Sequence, residues 1–509
     1  MTTAPASAEQ TERDDVAALA KGGRTNIIGF VLRLAARIPF LFIAGRLYGA
    51  AVLGRFAYAV LIVEFAAQLA TLGLKRGLAE QLARDPREPS HIVADALMLC
   101  LIASVAAAGL LMIFPQAMFP NSGLNGLDRL LPLIILPIAL TDVALAACAY
   151  QYNVVATVHA RSIVEPWTIS IAALGFYFYS TRDGLILSYV VSMAAAMVAG
   201  LWPLLRHYRG WRGWRPHPAR LWRLAARNSP LAAADAIEWA TRRLDLAILG
   251  LFASPAIVGV YYVAQQVASL PQKLKSSFEP ILGPVIARGV QQRNYGAIAR
   301  HVAQAGFWIV SAQLGIALAL GIPGEAVMGL VGPGFVGGTG ALAGLLAAEV
   351  LASPAVVSEA ALVYLARMRN LTLSVATIAL QAVLTLAFIY AARRADLPDL
   401  YMATMPAIAL ALALACGALA KSLLLGRLLG VRVSFWRPTL LVAGLAAAAV
   451  GMGFTLLPRA LEWVELVFGV PVILAVYGVI VWSLAFRDED RRLLRRGGRA
   501  IEPAPAGQG

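Results

Sequence analysis

Hydrophobic residues along this 509-residue chain fall into runs of about 20, separated by short polar segments. One apolar helix of that length crosses the hydrocarbon core of a bilayer. The pattern therefore predicts an all-α polytopic membrane protein with about fourteen transmembrane helices. The expected spans are 26–44, 52–74, 91–114, 130–152, 161–180, 184–205, 229–252, 255–285, 302–322, 340–366, 371–392, 399–424, 437–457 and 464–486.

The basic residues orient these spans. Hydrophobic residues make up 60% of the chain and charged residues only 14%, which excludes a soluble protein. Of the 43 Lys and Arg residues, 30 fall in segments on one side of the predicted topology and 7 on the other. Cytoplasmic loops carry the excess of Lys and Arg, so both termini are predicted to be cytoplasmic. The net charge of +15 is explained in this way, without a nucleic-acid partner.

An internal repeat organises the spans. Residues 33–59 align without gaps with residues 238–264, 205 positions later, and eight pairs are identical, among them Gly54 and Gly259. Each copy holds six spans, an even number, so the copies are expected to be parallel and related by an axis along the membrane normal. The predicted domains are a disordered cytoplasmic tail (1–22), an N-terminal six-helix lobe (23–205), a basic linker or interfacial helix (206–228), a C-terminal six-helix lobe (229–424), two additional helices (425–486) and a basic tail (487–509).

Ionisable side chains inside spans are costly, about 2.5–3.5 kcal/mol each, and are therefore functional candidates. The basic candidates are Arg33, Arg37, Arg242, Arg243, Lys273 and Lys275. The acidic candidates are Glu64, Asp142, Asp235, Glu238 and Asp245. Their helical spacing gathers them on polar faces, which predicts a hydrated, charged cavity between the halves. Cations and acids are nearly equal in number, so the sign of that cavity stays open.

Three of these groups have other interpretations. Glu238 and Arg242 are four residues apart and could neutralise each other on one helix face. Lys273 and Lys275 are equally compatible with a position at the membrane surface. Asp142 could take up a proton, bind a cation or cap a neighbouring helix.

Nothing in the sequence indicates an enzyme. The cysteines and histidines have no metal-ligand spacing, and no nucleophile–base motif is present. A membrane polysaccharide polymerase or ligase would need catalytic residues on a sizeable outer loop, whereas the predicted outer loops are short. We expect no metal and no cofactor.

Several short segments resemble those of one transporter family. They are Gly23-Arg24-Thr25-Asn26, Gly45-Arg46-Leu47-Tyr48-Gly49, Gly54-Arg55-Phe56-Ala57-Tyr58-Ala59, Leu72-Gly73-Leu74-Lys75-Arg76-Gly77, Asp245-Leu246-Ala247-Ile248-Leu249-Gly250 and Gly259-Val260-Tyr261-Tyr262-Val263-Ala264. The chain is similar in these segments to the polysaccharide and O-antigen flippases (Wzx-type) of the multidrug/oligosaccharidyl-lipid/polysaccharide exporter superfamily.

The resemblance implies a twelve-plus-two-helix flippase in the bacterial inner membrane that works by alternating access. Its substrate would be an undecaprenyl-pyrophosphate-linked oligosaccharide, the repeat unit of a lipopolysaccharide O-antigen or an exopolysaccharide. The basic candidates would then bind pyrophosphate or acidic sugars, since an Arg fork suits phosphate. The acidic candidates would act as counter-ions or couple transport to H⁺ or Na⁺. A polymerase and glycosyltransferases are the implied partners, besides membrane lipid.

Two related transporters remain as alternatives. A flippase for lipid II, the peptidoglycan precursor, shares the fourteen-span plan. A drug/cation antiporter of the same superfamily is disfavoured by the intramembrane arginines, because fixed cations repel cationic drugs.

Overall fold

The computed structural model describes residues 38–276 and 294–486 except 432 and 459–460, together with positions 286, 290 and 292. Arg33 and Arg37 lie outside the described residues. The side chains of Lys273 and Lys275 also lie outside the described part of the chain, although both residues belong to a described helix.

Helices account for the regular structure of the described residues, and no strand occurs among them. The α-helices are α1 (Gly49–Ala70), α2 (Leu74–Arg84), α3 (Pro89–Ile113), α4 (Gly126–Leu130), α5 (Ile135–Tyr150), α6 (Val154–Val158), α7 (Glu165–Tyr177), α8 (Gly184–His207), α9 (Pro218–Phe252), α10 (Pro255–Ser276), α11 (Tyr295–Gly321), α12 (Gly324–Val331), α13 (Thr339–Leu365), α14 (Arg367–Arg394), α15 (Asp399–Leu429), α16 (Pro438–Thr455), α17 (Glu462–Val464) and α18 (Val470–Ile480). Within the described part, 10 helical stretches are long and apolar enough to cross a membrane. The predicted fold class, an all-α polytopic membrane protein, is confirmed.

Local sequence signals explain where several helices begin. Pro89, Pro218, Pro255 and Pro438 are the first residues of their helices, a position where the missing backbone N–H costs nothing. Inside a membrane this matters, because unsatisfied backbone groups are especially expensive there.

The predicted turn at Gly45–Gly49 is a π-helical turn, Ala44–Tyr48, that leads into α1. Gly49 has a φ of 80°, a conformation that a residue with a side chain rarely adopts. The Tyr48 hydroxyl donates a hydrogen bond to the carbonyl of Ala173 at 2.7 Å, which ties this turn to α7.

The chain divides into two compact units. The first contains the residues up to Val263 together with Leu330–Phe335 and Ala392–Ala403. Helix α1 is largely buried in this unit, where it contacts α3, α5 and α9. The second unit contains Ala264–Gly329, Val336–Ala391 and the residues from Thr404 onward. Its core contains buried side chains of α11, α13, α15, α16 and α18.

Arg55, which falls within the predicted span 52–74, is buried in α1. It forms an ion pair with Asp128, and its Nη1 atom lies 3.7 Å from Asp183. Asn125 caps α4 and donates to Asp183 at 3.1 Å. This network holds the α4 segment against α1 and α8.

The segment expected to be a linker, 206–228, extends from the end of α8 through a loop and into the first turns of α9. Helix α9 has 35 residues, about 52 Å, and is longer than the hydrocarbon core. Its first turns are helical because Leu221, Leu224 and Asn228 form a buried stripe at helical spacing.

Candidate functional site

A cluster of opposite charges joins α2 to α9 in the first unit. Arg76 Nε lies 2.9 Å from Asp235 Oδ1, and the same guanidinium pairs with Glu238. Arg242 Nη2 lies 3.0 Å from the other oxygen of Glu238. Two guanidinium groups therefore share one carboxylate, and a second carboxylate lies behind them.

Two glycines allow α2 to approach α9 this closely. Gly73 has a φ of 73° and separates α1 from α2. A Cβ atom at Gly73 would lie 2.7 Å from backbone atoms of Asn228 and Ala232, and one at Gly77 would collide with the Asn228 side chain. The Gly73–Gly77 spacing thus fixes the approach that places Arg76 beside Asp235.

A second cluster surrounds Asp142 of α5. Arg161, on the π-helical turn before α7, pairs with Asp142 and also with Glu165 at 2.7 Å. Lys75 Nζ, adjacent in sequence to Arg76, lies 3.4 Å from the other oxygen of Asp142. Asp142 therefore has two cationic partners.

The remaining acidic candidates accept hydrogen bonds from tyrosines. The Tyr189 hydroxyl donates to Glu64 at 3.1 Å. The Tyr261 hydroxyl donates to Asp245, which is buried. Arg243 lies near enough to interact with the Asp245 carboxylate electrostatically. These contacts give both acids a structural partner inside the unit.

The exposed fractions of the side chains determine the charge of the accessible surface of the site. The Arg76 side chain is 48% exposed and its partner Asp235 only 1%. Lys75 is 47% exposed and its partner Asp142 14%. Arg242 is half-exposed, as is Glu238, the one accessible acid of this group. Since most acids lie beneath their cations, the accessible surface is predominantly positive.

The structure brings Asp235, Glu238 and Arg242 together and places Asp142, Glu64 and Asp245 in separate contacts. Sequence reasoning missed Lys75, Arg76 and Arg161, which it counted as loop cations. The available signal was the pair Lys75–Arg76 between Gly73 and Gly77, because glycines four residues apart indicate close helix packing. No group of His, Cys, Asp and Glu suited to a metal ion occurs within the described residues.

A second close contact lies at the other end of α1. A Cβ at Gly54 would collide with the Pro255 carbonyl, and one at Gly259 with the Ala50 carbonyl. Ala50 and Pro255 are related by the same 205-residue offset as Gly54 and Gly259. Each contact therefore has its counterpart with the two copies exchanged, as at an interface with two-fold symmetry.

Comparisons with known proteins agree with this architecture. Residues 43–318 match the sequence profile of a family described as polysaccharide biosynthesis protein. No curated protein sequence matches the chain.

Among solved structures, the lipid II flippase MurJ in an inward closed conformation is similar with a TM-score of 0.67 and 12% identity, covering 90% of this chain and 100% of that one. An inward-facing multidrug resistance MATE family transporter of the MOP superfamily is similar with a TM-score of 0.57 and 14% identity, covering 78% of this chain and 95% of that one. A MOP superfamily transporter from Pyrococcus furiosus is similar with a TM-score of 0.54 and 14% identity, covering 81% of this chain and 95% of that one. These likenesses establish the fold, and because the family profile spans more than half of the sequence, the chain belongs to the polysaccharide biosynthesis protein family.

Proposed function

We propose that this protein is a flippase that moves an undecaprenyl-pyrophosphate-linked oligosaccharide from the inner to the outer leaflet of a bacterial inner membrane. The oligosaccharide would be an O-antigen or exopolysaccharide repeat unit. The observation that carries the proposal is the predominantly positive accessible surface of Lys75, Arg76 and Arg242, whose partners Asp142 and Asp235 are largely buried while Glu238 is half-exposed. Family membership and transporter-like fold support a transporter rather than an enzyme.

The ion pairs between α2 and α9 suggest how substrate would separate these two helices. Arg76 is held by Asp235 and Glu238 while α2 lies against α9. A pyrophosphate group offers the same kind of acceptor with more charge, and a guanidinium can bind it through two parallel hydrogen bonds. Substrate would take over Arg76 from the carboxylates and thereby release α2 from α9.

The reciprocal contact of Gly54 and Gly259, between α1 and α10, would close the path at the other end of α1. In the described state both contacts are formed, so α1–α2 lies against α9 and α10 at both ends. Alternating access requires that one contact opens while the other stays closed. The basic candidates would bind the anionic headgroup between these two events, and Glu64, Asp142, Asp235, Glu238 and Asp245 would act as counter-ions or couple transport to H⁺ or Na⁺.

A lipid II flippase is the second candidate. It is favoured by the similarity to MurJ, which covers 90% of this chain. Both substrates present a pyrophosphate on a polyprenol, so the positive surface does not separate them. A drug/cation antiporter fits less well, since cationic drugs would be repelled by the exposed cations.

Reconstitution tests the function directly. The purified chain is placed in proteoliposomes with undecaprenyl-pyrophosphate-linked oligosaccharide, and a membrane-impermeant glycosidase reports the fraction in the outer leaflet. Parallel vesicles carry lipid II, and protein-free vesicles give the background. We expect faster translocation of the oligosaccharide carrier. Faster translocation of lipid II alone would favour the second candidate, and no translocation of either would contradict both.

A further inference from the structure

The loop between α8 and α9 is fastened to the start of α3. Trp214 Nε1 donates to Asp95 Oδ1 at 2.9 Å, and Arg87 Nη1 lies 2.7 Å from the other oxygen of Asp95. The Ser90 hydroxyl donates to the Gly210 carbonyl at 3.0 Å. These contacts give the loop a defined position.

The first turns of α9 are fixed as well. Leu221, Leu224 and Asn228 are buried, and Asn228 lies against Gly77 of α2. Residues on the other side of the helix consequently face away from the protein. Trp222 is 75% exposed, although Trp is a residue that soluble surfaces rarely expose to this extent.

The outward face of this segment is strongly basic. Its exposed arginines are Arg206, Arg209, Arg212, Arg215, Arg223 and Arg227. No Asp or Glu occurs between Asp183 and Asp235. The neighbouring acids are Glu80, which pairs with Arg84 and Arg227, Glu88, which lies beside Gly210, and the buried Asp95, which already pairs with Arg87. The arginines outnumber them.

The position of this surface identifies its partner. The apolar helix α8 ends at His207, so the arginines begin where a membrane span ends. Trp202 is exposed on the last turns of α8, with the Arg206 guanidinium 4.7 Å above its ring. Tryptophan beside cations is typical of the membrane–water interface, and the cytoplasmic leaflet carries anionic headgroups.

We propose that Arg206–Arg227, held in place by the Trp214–Asp95 contact, is a binding surface for anionic phospholipid headgroups of the cytoplasmic leaflet. The occupant is a bulk lipid such as phosphatidylglycerol, distinct from the transported substrate. Because the surface is held by protein contacts rather than by the membrane, its arginines are already arranged before lipid binds. The proposal depends on the predicted orientation and is independent of which substrate is moved.

Native mass spectrometry of the full-length protein tests this surface. The protein is extracted from bilayers of phosphatidylcholine and phosphatidylglycerol in equal amounts, and the retained lipids are counted. The test variant is R209Q/R212Q/R223Q. The control variant R367Q/R369Q/R427Q removes equal charge from exposed positions predicted to face the same side. We expect wild type and control to retain phosphatidylglycerol in several-fold excess, and the test variant to lose that preference.

Two further arms keep the result interpretable. R209K/R212K/R223K should retain the lipid, because anionic headgroups attract any cation and do not require the planar guanidinium group of Arg. Trp214→Phe, which removes the hydrogen-bond donor to Asp95, should weaken retention with every arginine still present. Equal loss in the control variant would overturn the proposal, as would retention by the test variant or displacement of the lipid by inorganic pyrophosphate. None of these arms measures transport, so the proposed function can fail or succeed separately.

Discussion

At the scale of single residues, Arg76 distinguishes substrate binding from structural support. Replacing Arg76 by Ala leaves Asp235 as a buried carboxylate without its cation, which costs about 3–5 kcal/mol of stability. It also removes a charge-assisted contact to phosphate, worth about 1.5–3 kcal/mol or roughly ten- to hundredfold in transport. We therefore expect R76A to be unstable and inactive.

The double variant R76A/D235N separates the two effects. Neutralising Asp235 should restore the thermal unfolding midpoint, whereas transport in proteoliposomes should stay low. R84A is the matched control, because Arg84 lies on the same helix and is exposed. Normal transport by the double variant would contradict a role of Arg76 in binding.

Arg242 is expected to behave differently, since its partner is accessible to water. Glu238 is about half-exposed and also pairs with Arg76, so R242A does not leave a buried, unpaired carboxylate. We predict that R242A abolishes export at nearly normal protein abundance and that R242K restores it only partly, because Lys lacks the planar fork. Cellular export and immunoblots of the membrane fraction provide both readouts. Recovery of transport in E238A/R242A would show that Arg242 serves only to neutralise Glu238.

At the scale of elements, hydropathy predicted most of the helices because each apolar run needs only its own composition to be recognised. The predicted span 229–252 covers only the later part of α9, since Arg220, Arg223 and Arg227 make the first turns of this helix hydrophilic while tertiary packing makes them helical. Hydropathy could not identify Lys75 or Arg161 as ion-pair partners of Asp142. A cation at a span end looks the same in sequence whether water or a distant carboxylate neutralises it.

The contact of α1 with α10 gives a prediction for paired glycines. Alanine at Gly54 or Gly259 would force the two backbones apart, at a cost of about 1–3 kcal/mol. We expect G54A and G259A each to lower the thermal unfolding midpoint by a few degrees and to impair transport. The double variant G54A/G259A should lose less stability than the sum of the two single losses, because both changes disrupt one contact. G109A, where a Cβ atom meets nothing within 4 Å, is the control, and equal effects there would contradict the role of the contact.

The loop between α2 and α3 should be sensitive to acid. Hydrogen bonds from Arg87 lower the pKa of Asp85 from its usual 3.8, outweighing its partial burial. The stabilisation is therefore complete above 3.8 and is lost as pH falls through the lowered pKa. Hydrogen exchange of the Arg87 backbone amide, which donates to Asp85 Oδ1 at 3.1 Å, should show this loss in wild type. D85N should exchange faster at neutral pH and respond less to acid; an identical pH response would contradict the assignment.

At the scale of the whole molecule, the orientation prediction can be checked by labelling. In a background without Cys100, Cys148 and Cys416, single cysteines replace Arg212 or Ser122. Arg212 is preferred to the neighbouring Gly213, whose φ of 83° makes any substitution strained. A membrane-impermeant maleimide should label R212C only from the cytoplasm and S122C only from the periplasm. The reverse pattern would overturn the topology and the proposed lipid surface with it.

The order of the charges along the chain has a consequence for biosynthesis. Helix α9 carries Asp235, Glu238, Arg242, Arg243 and Asp245, and with these charges it is not one of the 10 stretches that are apolar enough to cross a membrane, although its later part was predicted as a span. Its main cationic partner, Arg76, is synthesised some 160 residues earlier, just as Lys75 precedes Asp142. When α9 leaves the ribosome, we therefore expect Asp235 and Glu238 to meet a guanidinium that is already at the membrane. The insertion machinery then does not have to place these carboxylates in lipid alone, and the helices of the first half assist the entry of a later one.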